Sequence, residues 1–334
     1  MFHQPATHLF DRQLLTMPST IRLGAFFLAQ MLWSLGTSAI PSPPPNPDHG
    51  SHIARSELPP TLNITLPDAL PSSPLYGAPY IDFKSCPKDR NPVVFLHGLS
   101  ASRNVDLNVL QWRLEDRGYC TFSQTYGAWP IVPWVGGLEP MADSAKEVAD
   151  WIRKVKNETG ATKVDIVGHS EGGVQALYVP LTQDGISEIV DHIVALAPAI
   201  HGAQYYGFTD FWEVGGNITR TIGKTVMDTL GCPACDDMMT DGAVYNKFKE
   251  AAGKIVQPGN NVTIIMSKTD TLVSPDVSRI DEAGVKNVLV QDTCPDDKVG
   301  HAGLAYDKGV WRLVLNALEG NNDAVFPCEQ GLEF

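Results

Sequence analysis

Two segments in which a buried-strand pattern runs straight into glycine constrain this chain most. The first is Val93-Val94-Phe95-Leu96-His97-Gly98; the second is Val164-Asp165-Ile166-Val167-Gly168-His169-Ser170-Glu171-Gly172-Gly173. The second carries G-x-S-x-G, the pattern of a nucleophile elbow, in which a serine sits on a sharp turn between a strand and a helix. Glycines flank Ser170 because that turn leaves no room for side chains, and it lifts the hydroxyl clear of the sheet. The motif alone is moderately specific. Its place after a strand pattern and before a helical one makes it informative, and points to nucleophilic serine chemistry.

From Pro92 onward, strand and helix patterns alternate. Strands are expected over 93–97, 120–124, 163–168, 189–197, 262–266 and 285–290, each a short apolar run. Helices are expected over 104–117, over 142–156, from 173 after the elbow, and over 310–318. The second is amphipathic, with Ala145, Val148, Ala149, Ile152 and Val155 on one face. Such alternation implies an α/β fold, a mostly parallel sheet with helices on both faces. The 334 residues suffice for a sizeable core. Residues 201–252 are less periodic and richer in Gly, Asp, Tyr and Thr, as a cap or lid insertion over a pocket would be. The loop 126–137 carries Trp129 and Trp134 and reads equally as core packing or as an apolar rim around an acyl-binding cleft.

The first residues read differently from the rest. Residues 23–35 are apolar, Arg22 precedes them, and small residues follow up to Ala39, which is the layout of a cleaved signal peptide over 1–39. The apolar run is short for a membrane span, so no permanent span is expected once the signal is cut. Residues 40–75 are rich in Pro and Ser and form an expected flexible linker to a catalytic domain over 76–334. Secretion then makes the six cysteines, Cys86, Cys120, Cys232, Cys235, Cys294 and Cys328, an expected set of three disulfides. Spacing does not choose their pairing. Cys232-Pro233-Ala234-Cys235 lacks a partner motif for zinc, so a local bridge is expected and no metal. Asn63, Asn157, Asn217 and Asn261 head N-x-[ST] sequons and are expected N-glycosylation sites. The net charge of −13 argues against nucleic acid or anionic membrane surfaces and for neutral substrates.

A serine hydroxyl needs a base, and the base an orienting acid. In a fold with this elbow the chain order is nucleophile, acid, histidine. Of nine histidines only His192, His201 and His301 follow the elbow. His192 lies in an apolar strand and His201 precedes any later strand that could supply an acid. His301, in Gly300-His301-Ala302-Gly303, lies in a loop after the sixth strand and is the expected base. Asp270, just past the carboxyl end of the 262–266 strand, is the expected acid, with Asp276 next in line. Asp281 and Glu282 read as solvated helix charges. The oxyanion needs preorganised N–H donors, assigned to the amides of Glu171 and Leu99. His97 and His169 read as braces of the loop and elbow. A histidine base must be neutral to accept a proton, so activity is expected to fall in acid, around about pH 6 to 7.

Beyond the elbow, several stretches resemble the class 2 lipases, a secreted α/β-hydrolase family. They are Pro92–Gly98, Arg117-Gly118-Tyr119-Cys120, Lys163–Ser170, Leu196–Gly202, Cys232–Cys235, Gln291-Asp292-Thr293-Cys294-Pro295 and Val314–Leu318. The resemblance runs from about Cys86 to Cys328. It implies the same Ser170, Asp270, His301 triad, disulfides Cys86–Cys120, Cys232–Cys235 and Cys294–Cys328, and hydrolysis of carboxylic esters, triacylglycerols included. The departures are Glu171, where the family usually has Gln or Met, and Leu99, where actinobacterial members tend to have Thr. The sequons and proline-rich leader suggest a eukaryotic version.

The function expected from all this is a secreted, extracellular ester hydrolase, a triacylglycerol lipase without cofactor. Its partners are an ester or lipid substrate and a lipid–water interface. A short-chain esterase, a polyesterase or an acyltransferase is the nearer alternative. A catalytically silent binding module on the same fold is the alternative from another class.

Overall fold

Six short strands pair side by side into one sheet: β1 (Val93–Leu96), β2 (Thr121–Ser123), β3 (Val164–His169), β4 (Val190–Leu196), β5 (Asn261–Met266) and β6 (Val285–Leu289). Their order is β2-β1-β3-β4-β5-β6 and every pairing is parallel. The computed structural model describes residues 78–79, 82–202 and 231–328, all within one compact unit of 70–208 and 230–334. The expected signal peptide and linker, Asn63, Asn217 and most of the expected cap (203–230) lie outside the described residues.

The helices are α1 (Asn108–Glu115), α2 (Met141–Thr159), α3 (Glu171–Thr182), α4 (Ile186–Ile189), α5 (Pro233–Met238), α6 (Ala243–Glu250), α7 (Pro275–Ser278), α8 (Val290–Thr293) and α9 (Lys308–Leu318). Helix α3 packs on β1, β3 and β4 and against α2; α9 packs on β4 and β5 and against α1. Each strand ends in the crossover that begins the next layer, as parallel pairing demands. Strands β1 and β3 are buried throughout, because helices cover both faces. Residues Glu171–Pro180 of α3 are all buried, so this helix has no solvent face. In α9, Val310, Trp311, Leu313, Val314, Ala317 and Leu318 turn inward, each larger apolar side chain contributing about 1.5–3 kcal/mol. The Asp307 carboxylate accepts the Gly309 and Val310 N–H groups at 2.7 and 3.1 Å and fixes where α9 starts.

The order places a switch point between β1 and β3: the chain leaves β1 toward β2 on one side and returns to β3 on the other. Loops beyond the carboxyl ends of these two strands therefore diverge and leave a crevice between them.

Two expectations need correction. The helix expected over 104–117 begins only at Asn108; residues 98–107 form an irregular loop with Ser100 and Asp106 at φ 61° and 102°. The Asn-Val-Asp-Leu-Asn run there favours turn geometry over the helical stripe that its apolar residues suggest. Asp281 and Glu282 are not on a helix, since α7 stops at Ser278. Glu282 instead accepts the N–H groups of Gly253, Ile255 and Val256, clamping the turn ahead of β5.

Disulfides join Cys86 to Cys120, Cys232 to Cys235 and Cys294 to Cys328. The first ties the segment before β1 to the start of β2. The third ties the chain end beyond α9 to the end of α8. Asn157, at the last turn of α2, and Asn261, at the start of β5, are both exposed. Among the described residues, no helix is long and apolar enough to cross a membrane.

Candidate active site

The elbow is built by close approach. A Cβ on Gly168 would lie 2.1 Å from the Gly172 carbonyl oxygen, and one on Gly172 would lie 2.1 Å from that of Leu96. Only glycine fits at either place, so α3 can start directly after β3 and press its first turn onto the end of β1. Ser170 between them is held at φ 55°, a strained value for a side chain with a Cβ. Its amide donates to the Leu196 carbonyl at 2.8 Å, anchoring the turn to the neighbouring strand.

The structure brings Ser170, Asp270 and His301 together at the carboxyl edge of the sheet. His301 Nε2 lies 2.8 Å from Ser170 Oγ, and its Nδ1 lies 2.7 Å from Asp270 Oδ2. The residues are 131 and 31 positions apart in the chain. The other Asp270 oxygen accepts the amides of Leu272 and Val273, both at 2.9 Å. The carboxylate is therefore fixed by its own loop before it meets the imidazole. Asp276, the other candidate acid, lies in the first turn of α7, and the carboxylate that meets His301 Nδ1 is that of Asp270.

A polar staple aligns the two loops. Ser267 Oγ donates to the Val299 carbonyl at 2.6 Å and Thr269 Oγ1 to the same oxygen at 2.8 Å. Gln291, at the start of α8, donates to Ser267 Oγ and to the Asp297 carbonyl and accepts the Lys268 amide. Each buried partner is satisfied by another, which holds the loop after β5 against the one after β6.

The loop after β1 passes directly over the elbow: a Cβ on Gly98 would sit 3.2 Å from Ser170 Cβ. Among the described residues, neither the Leu99 nor the Glu171 amide has a hydrogen-bond acceptor. For Glu171 the reason is its place as the first residue of α3, where a helix leaves its N–H groups unpaired. The loop itself is pinned by Gly98 N–H to Asp106 Oδ2 at 2.7 Å, and by Ser100 N–H to the Gly136 carbonyl at 2.9 Å.

The braces are more specific than the sequence suggests. His97 Nδ1 donates to the Gly98 carbonyl at 2.9 Å and Nε2 accepts the Tyr126 amide at 3.3 Å. Burial lowers its pKa to about 4, so it stays neutral. His169 Nδ1 meets Asp106 Oδ1 at 2.7 Å and its Nε2 meets the His301 carbonyl at 3.0 Å. Asp106 and Tyr126 are the residues that sequence reasoning missed. Asp106 was hidden inside an apparent helical stripe, and Tyr126 inside an aromatic loop whose hydroxyl role depends on distant partners. The remaining late histidines are elsewhere: His192 pairs with Asp165, and His201 is exposed and meets the Arg279 carbonyl.

In the loop 126–137, Trp129 and Trp134 are half-buried and Ile131 is 44% exposed. Trp129 Nε1 donates to the Gly231 carbonyl at 3.3 Å. Among the described residues, only Asp165, Asp191 and His192 cluster closely enough to share a metal ion. They lie at the amino ends of β3 and β4, away from Ser170. Asn91 aims its amide donor at Asp165 and Asp191, at 3.0 and 3.3 Å, so those carboxylates already have a partner.

The comparisons with known proteins agree with one another. The family model described as Lipase (class 2) matches residues 90–308. A triacylglycerol lipase of Burkholderia plantarii is 25% identical over 231 residues, 60% of this chain and 62% of that protein. A triacylglycerol lipase of Pseudarthrobacter phenanthrenivorans is 25% identical over 201 residues, 54% of this chain and 60% of that protein. The chain thus spans about three-fifths of the length of these curated relatives. Among solved structures, Aspergillus fumigatus lipase B matches with a TM-score of 0.54 at 15% identity, covering 73% of this chain and 55% of that one. That likeness is one of fold, an α/β-hydrolase sheet. A family match spanning β1 to the start of α9, over that sheet, makes the chain a member of the class 2 lipases.

Proposed function

We propose that the protein is a serine carboxylic ester hydrolase that cleaves acylglycerol esters. The observation that carries this reading is Ser170 Oγ at 2.8 Å from His301 Nε2, with Asp270 on the far side of the ring and, beside the elbow, two amides without an acceptor among the described residues. His301 takes the Ser170 proton as Oγ bonds to the acyl carbon. The carbonyl oxygen becomes an oxyanion, received by the Leu99 and Glu171 N–H groups. When the tetrahedral species collapses, the ester C–O bond breaks and His301 gives the proton to the leaving alcohol. Water then attacks the acyl-serine by the same route, and the carboxylic acid leaves as Ser170 regains its proton. Asp270 keeps the Nδ1 proton in place and stabilises the imidazolium that forms.

The names of the curated relatives, both triacylglycerol lipases, favour acylglycerols over other esters. The half-buried tryptophans and exposed Ile131 suit an apolar acyl chain and a lipid–water interface. Residues 1–39 are read as a cleaved signal, 40–75 as a linker and 76–334 as the catalytic domain, with a cap over 201–252. On this reading the protein is secreted, with glycans on Asn63, Asn157, Asn217 and Asn261.

Initial rates on soluble p-nitrophenyl esters of increasing acyl length, and on emulsified triacylglycerol, test the reading, with Ser170→Ala as control. Hydrolysis extending to long acyl chains and lost in the variant is expected. Turnover of short esters only would assign a short-chain esterase. No hydrolysis by the folded wild type would overturn the reading.

A further inference from the structure

Glu171 follows the nucleophile, yet its side chain is 1% exposed and points away from solvent into the packing behind the loop after β1. Glu171 Oε2 is 2.6 Å from Tyr126 Oη, and Tyr126 Oη is 2.7 Å from the His97 carbonyl oxygen. A phenol carries one proton, and a backbone carbonyl only accepts. If Tyr126 donates to His97, the contact with Glu171 requires a proton on Glu171. If Tyr126 donates to a Glu171 carboxylate instead, two oxygens are left 2.7 Å apart at His97 with no proton between them. Tyr126 supplies no second charge state, because burial and the neighbouring Glu171 carboxyl push its pKa well above the usual value. Proton counting therefore favours a neutral Glu171.

The surroundings agree. From the position just after β1, His97 faces this cluster as a neutral ring stacked on Tyr126 at 4.4 Å. From the loop after β1 comes Asp106, and from α2 Glu147, both carboxyl groups that act on Tyr126. Along α3 itself the next turn offers Gln175, an uncharged amide. His169 is already paired with Asp106. With no cation among the described residues turned toward it, burial pushes the Glu171 carboxyl up to about 8.

We propose that Glu171 is a positioning residue that works as a neutral carboxylic acid. Its proton completes a chain from Glu171 through Tyr126 to the His97 carbonyl, holding the loop that carries the Leu99 amide, and its ionisation turns the oxyanion site off. The link is short: the His97 carbonyl belongs to the peptide that leads into Gly98 and Leu99. A Cβ on Gly137 would lie 3.1 Å from Glu171 Oε2 and 3.3 Å from Leu99 Cα, so one loop packs against both. Ionisation turns the Tyr126 proton toward Glu171 and leaves His97 without its donor. It also sets a negative charge on the residue whose amide meets the oxyanion. Both effects oppose the tetrahedral intermediate. This inference deepens the ester-hydrolase reading and rests on it.

Two measurements test it. The first is kcat/KM on a soluble p-nitrophenyl ester from pH 6 to 10, for wild type and Glu171→Gln. Glutamine keeps the shape of the neutral acid but cannot ionise. Wild type is expected to lose about ten-fold per pH unit once Glu171 ionises, and Glu171→Gln to lack that limb. The second is infrared difference spectroscopy of the wild type across the same range. The carbonyl stretch of a buried carboxylic acid should disappear with the midpoint of the activity loss and be missing from the variant. This band needs no turnover, so it tests the protonated Glu171 even if the ester-hydrolase reading fails, and its absence from wild type is decisive without the variant. Absence of the acid band in wild type at pH 6 would overturn the proposal, as would an alkaline limb retained in Glu171→Gln.

Discussion

Asp106 and His169 form a buried pair, Oδ1 to Nδ1 at 2.7 Å, that ties the loop beside Ser170 to the loop that carries His301. Both ring nitrogens of His169 face acceptors, a carboxylate oxygen and the His301 carbonyl, so both carry protons. Burial alone would lower the histidine pKa. The Asp106 charge and hydrogen bond, with the His301 carbonyl, outweigh it and leave the pKa raised. The second Asp106 oxygen accepts the Gly98 amide, so a single carboxylate orients both sides of the crevice.

Asp106→Asn should therefore slow hydrolysis and weaken the fold together. Asparagine tolerates the positive φ of 102°, so the change removes charge without adding backbone strain. Breaking a buried pair from one side costs about 3–5 kcal/mol, read by urea unfolding at pH 6. The sign follows from the raised pKa. The stabilisation is fully present below the ordinary histidine pKa and is lost as pH rises through the raised one. The gap between wild type and Asp106→Asn should accordingly narrow at alkaline pH, and a gap independent of pH would contradict the charged pair.

Glu171 makes a separate prediction about stability. Its folded-state pKa lies above the ordinary carboxylate value, so the protonated, stabilised form is fully present below the ordinary value. That stability is lost as pH rises through about 8. Thermal melts of wild type should fall more steeply between pH 5 and pH 9 than those of Glu171→Gln. Parallel curves would contradict the buried acid.

The bridge from Cys294 to Cys328 closes a loop of sequence separation 34 that contains α9 and the His301 loop. In the chain-entropy account such a loop contributes about 3–4 kcal/mol by constraining the unfolded chain. A Cys294→Ala/Cys328→Ala double variant should lose stability of that order in urea. It should keep its active-site geometry at low temperature, since the Asp270 loop is held separately by Gln291. A variant as stable as wild type would contradict the bridge.

The sheet was legible because β1, β3 and the later residues of β4 and β5 (193–196 and 262–266) are buried on both faces, which gives each a short apolar run. The meeting of His301 and Asp270 beside Ser170 was legible from chain order, which the sheet topology imposes by setting each loop at the same edge. Asp106 was not, because apolar residues at helical spacing surround it while the Gly98 amide and Tyr306 hydroxyl fix it in a turn. Tyr126 was not legible either. Its hydroxyl meets partners 29 and 45 residues away, and no local pattern encodes such a meeting. The departure at Glu171 was visible in the sequence, but its meaning lay in burial and in the single phenolic proton beside it.

The most direct measurement is the site and rate of labelling by a fluorophosphonate, which reacts only with a serine activated as a nucleophile. Peptide mass spectrometry of the folded protein should find one label, on Ser170. Asp270→Asn should slow its attachment by about three to four orders of magnitude, because the imidazole loses its orienting carboxylate. A folded protein that takes no label at Ser170, or takes it equally fast with asparagine at 270, would contradict the account.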